Sequence, residues 1–169
     1  MTCSLGASAT AQSTHVHGQG QVSMAIDQNL LSMTLESPGA DIIGFEHEAR
    51  TAEEKAAVRE ALKQLSDPMF VIQLPESASC KVIQASSEVA SENGGEGHAD
   101  HEDHESEAHG SFIAEYQLAC ANIAVIDFIT FVYFGHFRNA QSLMVVLIDK
   151  NGQHRHEINR DIPILFLEK

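Results

Sequence analysis

The chain has 169 residues, 43% of them hydrophobic, and a formal net charge of -14 at neutral pH, which suits one domain with a sizeable core. Eight acids lie between Glu88 and Glu107 with no base among them, so more than half of the net charge sits in one segment that repels nucleic acid and anionic lipid and attracts cations. There is no tryptophan, no basic patch and no apolar run near the roughly 20 residues of a spanning helix, which argues against a nucleic-acid partner and a transmembrane segment.

Residues 1–13, with the small-residue run "ASATA", resemble the cleavage end of a secretory signal whose charged and longer apolar parts are missing, and Cys3 belongs to that remnant. Residues 14–169 form a single domain. "GQVSMAIDQNLLSMTLES" alternates on both sides of Asp27-Gln28-Asn29 and predicts a hairpin, with Val22, Met24 and Ile26 on one face opposite Leu31, Met33 and Leu35. Pro38 and Gly39 end it. Thr51 and Glu54 form a capping box, and Ala57, Val58, Ala61, Leu62 and Leu65 recur at helical spacing as far as Asp67-Pro68, predicting the one long helix. "MFVIQLP" reads as a strand stopped by Pro75. "CKVIQASSEVA" and "SFIAEYQLAC" read as a long hairpin around an insertion at 92–110 that has no large apolar side chain apart from its edges and carries a disorder signature. "IDFITFVYF", "SLMVVLID" and "HRHEIN" read as further strands, the last two joined by an Asn-Gly turn, and "IPILFLEK" closes the chain. The expected fold is α+β: a predominantly antiparallel sheet of about six to eight strands, one main helix and a disordered loop rich in His and acids.

Cys80 and Cys120 each sit at a strand edge and bracket that loop. In an exported protein such a pair is most simply a disulfide; in the cytosol it would be two buried thiols.

The insertion interleaves His98, His101, His104 and His109 with Asp100, Glu102, Asp103, Glu105 and Glu107. Imidazole nitrogen suits zinc and its late-transition neighbours, and carboxylates add charge and oxygen donors. A flexible loop presets no geometry, so the entropy of ordering keeps affinity per site modest. "HEDH" has two residues between its histidines where the zinc-protease helix requires three. His15 and His17, if extended, point to one face and offer two imidazoles, with a third ligand needed from elsewhere. His47, between Glu46 and Glu48 ahead of the helix, is a candidate for that third position. His154 and His156 repeat the spacing, where a solvent-exposed strand face is the expectation; His136, in "YFGHFRN", reads as a packed, hydrogen-bonded histidine. No nucleophile elbow, phosphate-cradling loop or dinucleotide fingerprint is present, and the chain is expected not to be an enzyme.

"HVHGQGQVSMAID", "LESPGADIIGFEHEARTAEEKAAVREAL", Cys80 with "YQLAC", and the late "NGQ" turn together resemble the ZrgA-type zinc-regulated periplasmic proteins of Gram-negative bacteria, over nearly the whole chain from His15. The resemblance implies export to the periplasm, a His- and Asp/Glu-rich insertion between two cysteines, and zinc acquisition beside an ATP-driven membrane importer. It implies zinc contact by His15, His17, His47 and the insertion's His98, Asp100, His101, Glu102, Asp103, His104 and His109. Two stretches depart from the family pattern: Glu48-Ala49-Arg50 after the "GFEH" histidine, and Gly135-His136-Phe137-Arg138 before the late strand. The first bears on geometry around His47, and the second could add a ligand at His136. Rival readings are a docking subunit of a metal importer, a general buffer for copper or nickel, and a metalloenzyme with water in the fourth position of a three-ligand site. Zinc itself is implied by the resemblance, not by these residues.

Overall fold

Alternating side chains on either side of Gln28-Asn29 produce strands β1 (Gln19–Asp27) and β2 (Leu30–Pro38), paired antiparallel down to Asp27↔Leu30. Gln28 adopts the left-handed φ of 53° within that tight reversal. The computed structural model describes residues 18–91 and 110–168, so the signal-like residues 1–13 and most of the insertion lie outside the described residues. The remaining elements are α1 (Gly39–Ile42), α2 (Ala52–Leu65), β3 (Cys80–Ser91), β4 (Gly110–Cys120), β5 (Phe128–Thr130), α3 (Tyr133–His136), β6 (Ser142–Asp149), β7 (Gly152–Asn159) and β8 (Ile164–Phe166). They form the expected α+β fold. Six strands build the main sheet in the order β3-β4-β2-β1-β6-β7, and β5 pairs with β8 in a small second sheet.

Every neighbouring pair in the main sheet is antiparallel except β1 and β6. A parallel pair cannot be closed by a hairpin, so the chain between must cross a sheet face. The crossing segments cover one face only. On it, the register lines up Tyr116, Met33, Met24 and Leu147 in one row and Ala114, Leu35, Val22 and Val145 in the next, all buried. The opposite face carries Ser23, Glu115 and Gln117 and is left to solvent.

Helix α2 begins at the predicted box: Glu54 N donates to Thr51 Oγ1 at 3.1 Å, and Thr51 N donates to Glu54 Oε2 at 3.0 Å. Its buried residues Ala61 and Leu65 face the sheet. Tyr116 donates its hydroxyl to the Leu65 carbonyl at 2.6 Å, and Ser87 Oγ donates to the Leu62 carbonyl at 2.7 Å, tying the helix end to β4 and β3. Burial pushes the Tyr116 hydroxyl well above the ordinary phenol range, so it stays a donor.

Two predicted strands come out differently. "MFVIQLP" opens with a 3-10 turn at Pro68–Phe70, because Asp67 Oδ1 accepts from Met69 N at 2.9 Å and proline suits the first helical position. Of that stretch Gln73 forms a single bridge, to Thr130. "IDFITFVYF" is strand over Phe128–Thr130 and then turns into α3: Ile129, Phe131 and Tyr133 are buried at alternate positions, and Phe134, buried next to Tyr133, breaks the strand period where the helix begins.

Arg160 holds that layer's last bend. Its guanidinium donates to the carbonyls of Phe134 (2.6 Å), Phe137 (2.8 Å), Arg138 (2.8 Å) and Ala140 (2.6 Å). These carbonyls leave α3 with no helical partner ahead of them, and the planar fork satisfies several at once. Cys80 and Cys120 are bonded as a disulfide at paired positions of β3 and β4, at the end of that hairpin remote from the insertion. Arg160→Met should lower stability by about 3 kcal/mol, because a charged donor is lost and several part-buried carbonyls go unpaired. Urea unfolding followed by circular dichroism measures it, and a change under about 0.5 kcal/mol would show that solvent satisfies those carbonyls equally well.

Candidate functional site

Three chain segments meet at one end of the sheet. The hairpin β3–β4 opens into the insertion at the pair Ser91↔Gly110. Beside it, Gly110 N donates to the Glu46 carbonyl at 3.2 Å. At the same end Gly18, the residue after His17, donates its backbone N–H to Asp41 Oδ1 at 2.8 Å. The segment from Gly39 to Ala49 thus touches both the strand that enters from His15 and His17 and the root of the insertion.

Local sequence explains why this segment packs so closely. A side chain on Gly39 would place Cβ 2.6 Å from the Phe45 carbonyl oxygen and 2.9 Å from that of Gly110, so only glycine lets the turn close there. Gly44 takes a φ of 87°, which reverses the chain after α1. Asn139 Nδ2 adds a bond to the Ala40 carbonyl at 2.9 Å.

His47 projects from this segment and is about half exposed. Its ring stacks on Phe45 with centroids 4.7 Å apart and planes 21° from parallel. Nδ1 lies 3.0 Å from the Glu48 carbonyl oxygen. A carbonyl only accepts, so Nδ1 carries a proton in this contact, and whenever the ring is neutral its lone pair is on Nε2. That is the tautomer a metal-ligating imidazole uses, with the other nitrogen fixed by a backbone carbonyl. Nε2 faces Glu54 Oε1 at 3.9 Å. The two backbone N–H donors of Thr51 and Arg50 hold the Glu54 carboxyl below its ordinary range, with His47 adding a smaller effect. The capping-box acid is therefore also the charged neighbour of His47, a role that the spacing Thr51–Glu54 disclosed only in its helical half. Phe45 as the stacking partner is legible in "GFEH" once the ring is known to turn back along the chain. A cleft of about 470 Å³ opens beside His47, walled by Ile43, Phe45, Val58, Val89 and Phe112.

Among the described residues, no group of three or more His, Cys, Asp or Glu side chains converges on one point suited to a metal ion. His47 and Glu54 supply two donors. His15, His17, His98, Asp100, His101, Glu102, Asp103, His104 and His109 lie outside the described residues. His136 differs from its expectation: it is exposed at the end of α3, its ring 4.8 Å from that of Phe70. His154 and His156 also differ. They stand on the covered side of the sheet, opposite buried Leu147 and Val145, and are partly buried, while Arg155 between them takes the solvent face. The sequence spacing put both rings on one face correctly, but which face depends on the register of β7 against β6.

A family model described as ZrgA family zinc uptake protein matches residues 14–167. No curated protein matches the chain.

Because the folded Glu54 carboxyl is more acidic than an unfolded one, it contributes stability that is full above the unfolded value and is lost as pH falls through the folded one. Glu54→Gln should therefore lower the melting temperature at pH 7 and much less at pH 3. Scanning calorimetry at both values checks this, and an equal deficit at pH 3 would assign the cap to shape rather than charge.

Proposed function

The chain belongs to the ZrgA family of zinc uptake proteins, and on that footing we propose that it captures zinc in the periplasm and supports its delivery to an ATP-driven importer. The observation that carries the reading is the convergence at one end of the sheet: the His47 ring, the backbone leading to His17, and both roots of the insertion. In this reading His15 and His17 complete an ordered site with His47, and Glu54 supplies a nearby carboxylate.

The insertion then acts as a collector. Its acids raise the local cation concentration, and its four histidines offer ligands in many combinations. Ordering a long segment around each ion opposes binding, which suits cargo that must be handed on. The protein's role is binding rather than catalysis, and zinc is its cargo.

Ligating imidazoles must be neutral, so zinc affinity should fall by about tenfold per histidine ligand between pH 7.5 and 5.5, around the ordinary histidine value of about 6.5. Calorimetric titration at the two values measures this, and unchanged affinity would remove histidine from the ligand set. Deleting residues 92–109 should lower the zinc stoichiometry and leave a tighter site that His47→Ala weakens. Loss of all binding on deletion would mean that no ordered site exists. In zinc-limited cells, removing the protein should slow zinc accumulation when the ATP-driven importer is present and have no effect when it is absent. An equal effect in both backgrounds would exclude that partner.

A further inference from the structure

The opposite end of the sheet carries a second pair of metal-type donors. Strand β7 is an edge strand, and edge positions on a covered face are ordinarily filled by apolar side chains, as Ile158 is here. Two residues along, His156 and His154 take the same face, their ring centroids 6.4 Å apart and planes 30° from parallel. Nε2 of His154 has less than 1 Å² of accessible surface and no hydrogen-bond partner among the described residues. A shielded, unpaired ring nitrogen is costly unless something occupies it. The nearest charged group is Asp149, 3.7 Å away at Oδ1, with a side chain 10% exposed.

Asp149 is held in place. Its Oδ1 accepts from Asn151 N at 2.8 Å, closing the β6–β7 turn. It also lines a cleft of about 420 Å³ that opens at this end between Ile26, Asp27, Leu167 and Glu168, where Lys150 is the one cation among the described residues on the wall. Three carboxylates on the walls favour entry of a cation.

From these contacts we infer a second divalent-cation site, distinct from the His47 end, in which His154 Nε2 and Asp149 Oδ1 bind one ion of the zinc, nickel or copper(II) class. Tetrahedral ligation at about 2.0–2.1 Å from each donor sets them about 3.4 Å apart, so a small side-chain rotation closes the observed gap. His156 is the adjacent third donor, reached by rotation about its own side-chain bonds, and solvent fills the remaining position. The ion would replace a shielded ring nitrogen that has no hydrogen-bond partner among the described residues with a bond to the metal, and give the facing carboxylate a second one.

Imidazole ¹H–¹⁵N spectra of the full chain, recorded while zinc is added, test the site directly. The His154 ring nitrogens should shift in step with added zinc, and His154→Gln should lower the calorimetric stoichiometry by one ion per chain. Chelator-treated His154→Gln should melt as the chelator-treated parent does, which separates lost ligation from lost folding. His154 resonances unmoved at saturating zinc would overturn the proposal. Zinc binding that persists elsewhere in that experiment leaves the uptake reading standing, so the two can fail separately.

Discussion

Strand β1 lies parallel to β6, and much of the architecture answers to that one pairing. A parallel neighbour forces a crossover, the crossover covers one face, and the face so covered becomes the core. The β1–β2 hairpin returns the chain to the end of the sheet where β1 begins, so residues 39–49 follow there, beside the opening of the β3–β4 hairpin. His47 lies near the backbone that leads to His17 because β2 ends where β1 starts. The position of the candidate metal face is thus a consequence of topology before it is one of side-chain chemistry.

Chemistry then refines that position. His47 Nδ1 lies against the Glu48 carbonyl and Phe45 stacks on the ring, so a half-exposed histidine is held in one orientation. Glu54 serves two structures at once: its carboxylate closes the N-terminus of α2 and charges the space before Nε2. Using one acid for both links the start of the helix to the state of the ligand. At the other end His154 faces Asp149 with less exposure and fewer fixing contacts.

Much of this was legible beforehand. The β1–β2 hairpin, the capping box, the long β3–β4 hairpin and its disulfide follow from period-two alternation, a four-residue cap signature and two cysteines at strand edges. Where apolar residues ran together without alternation, as in "MFVIQLP" and "IDFITFVYF", periodicity could not separate a strand from a segment buried on all sides, and local capping by Asp67 and the burial of Phe134 next to Tyr133 decided the outcome. The parallel partner of β1 left no local mark, because pairing across such a separation is settled by the whole core. The candidate site was half legible: His47 stood out, but Glu54 was read only as a cap, and the inward face of His154 and His156 depended on a register that one residue's slip would invert.

The placement of the disulfide has an evolutionary corollary. Cys80 and Cys120 bolt the hairpin at the end away from the insertion, and paired strands run the full distance between bolt and opening. For a loop that joins Ser91 to Gly110, each doubling of length costs about 0.6 kcal/mol of closure entropy. The length of the insertion can therefore change in evolution while the sheet beneath it stays the same.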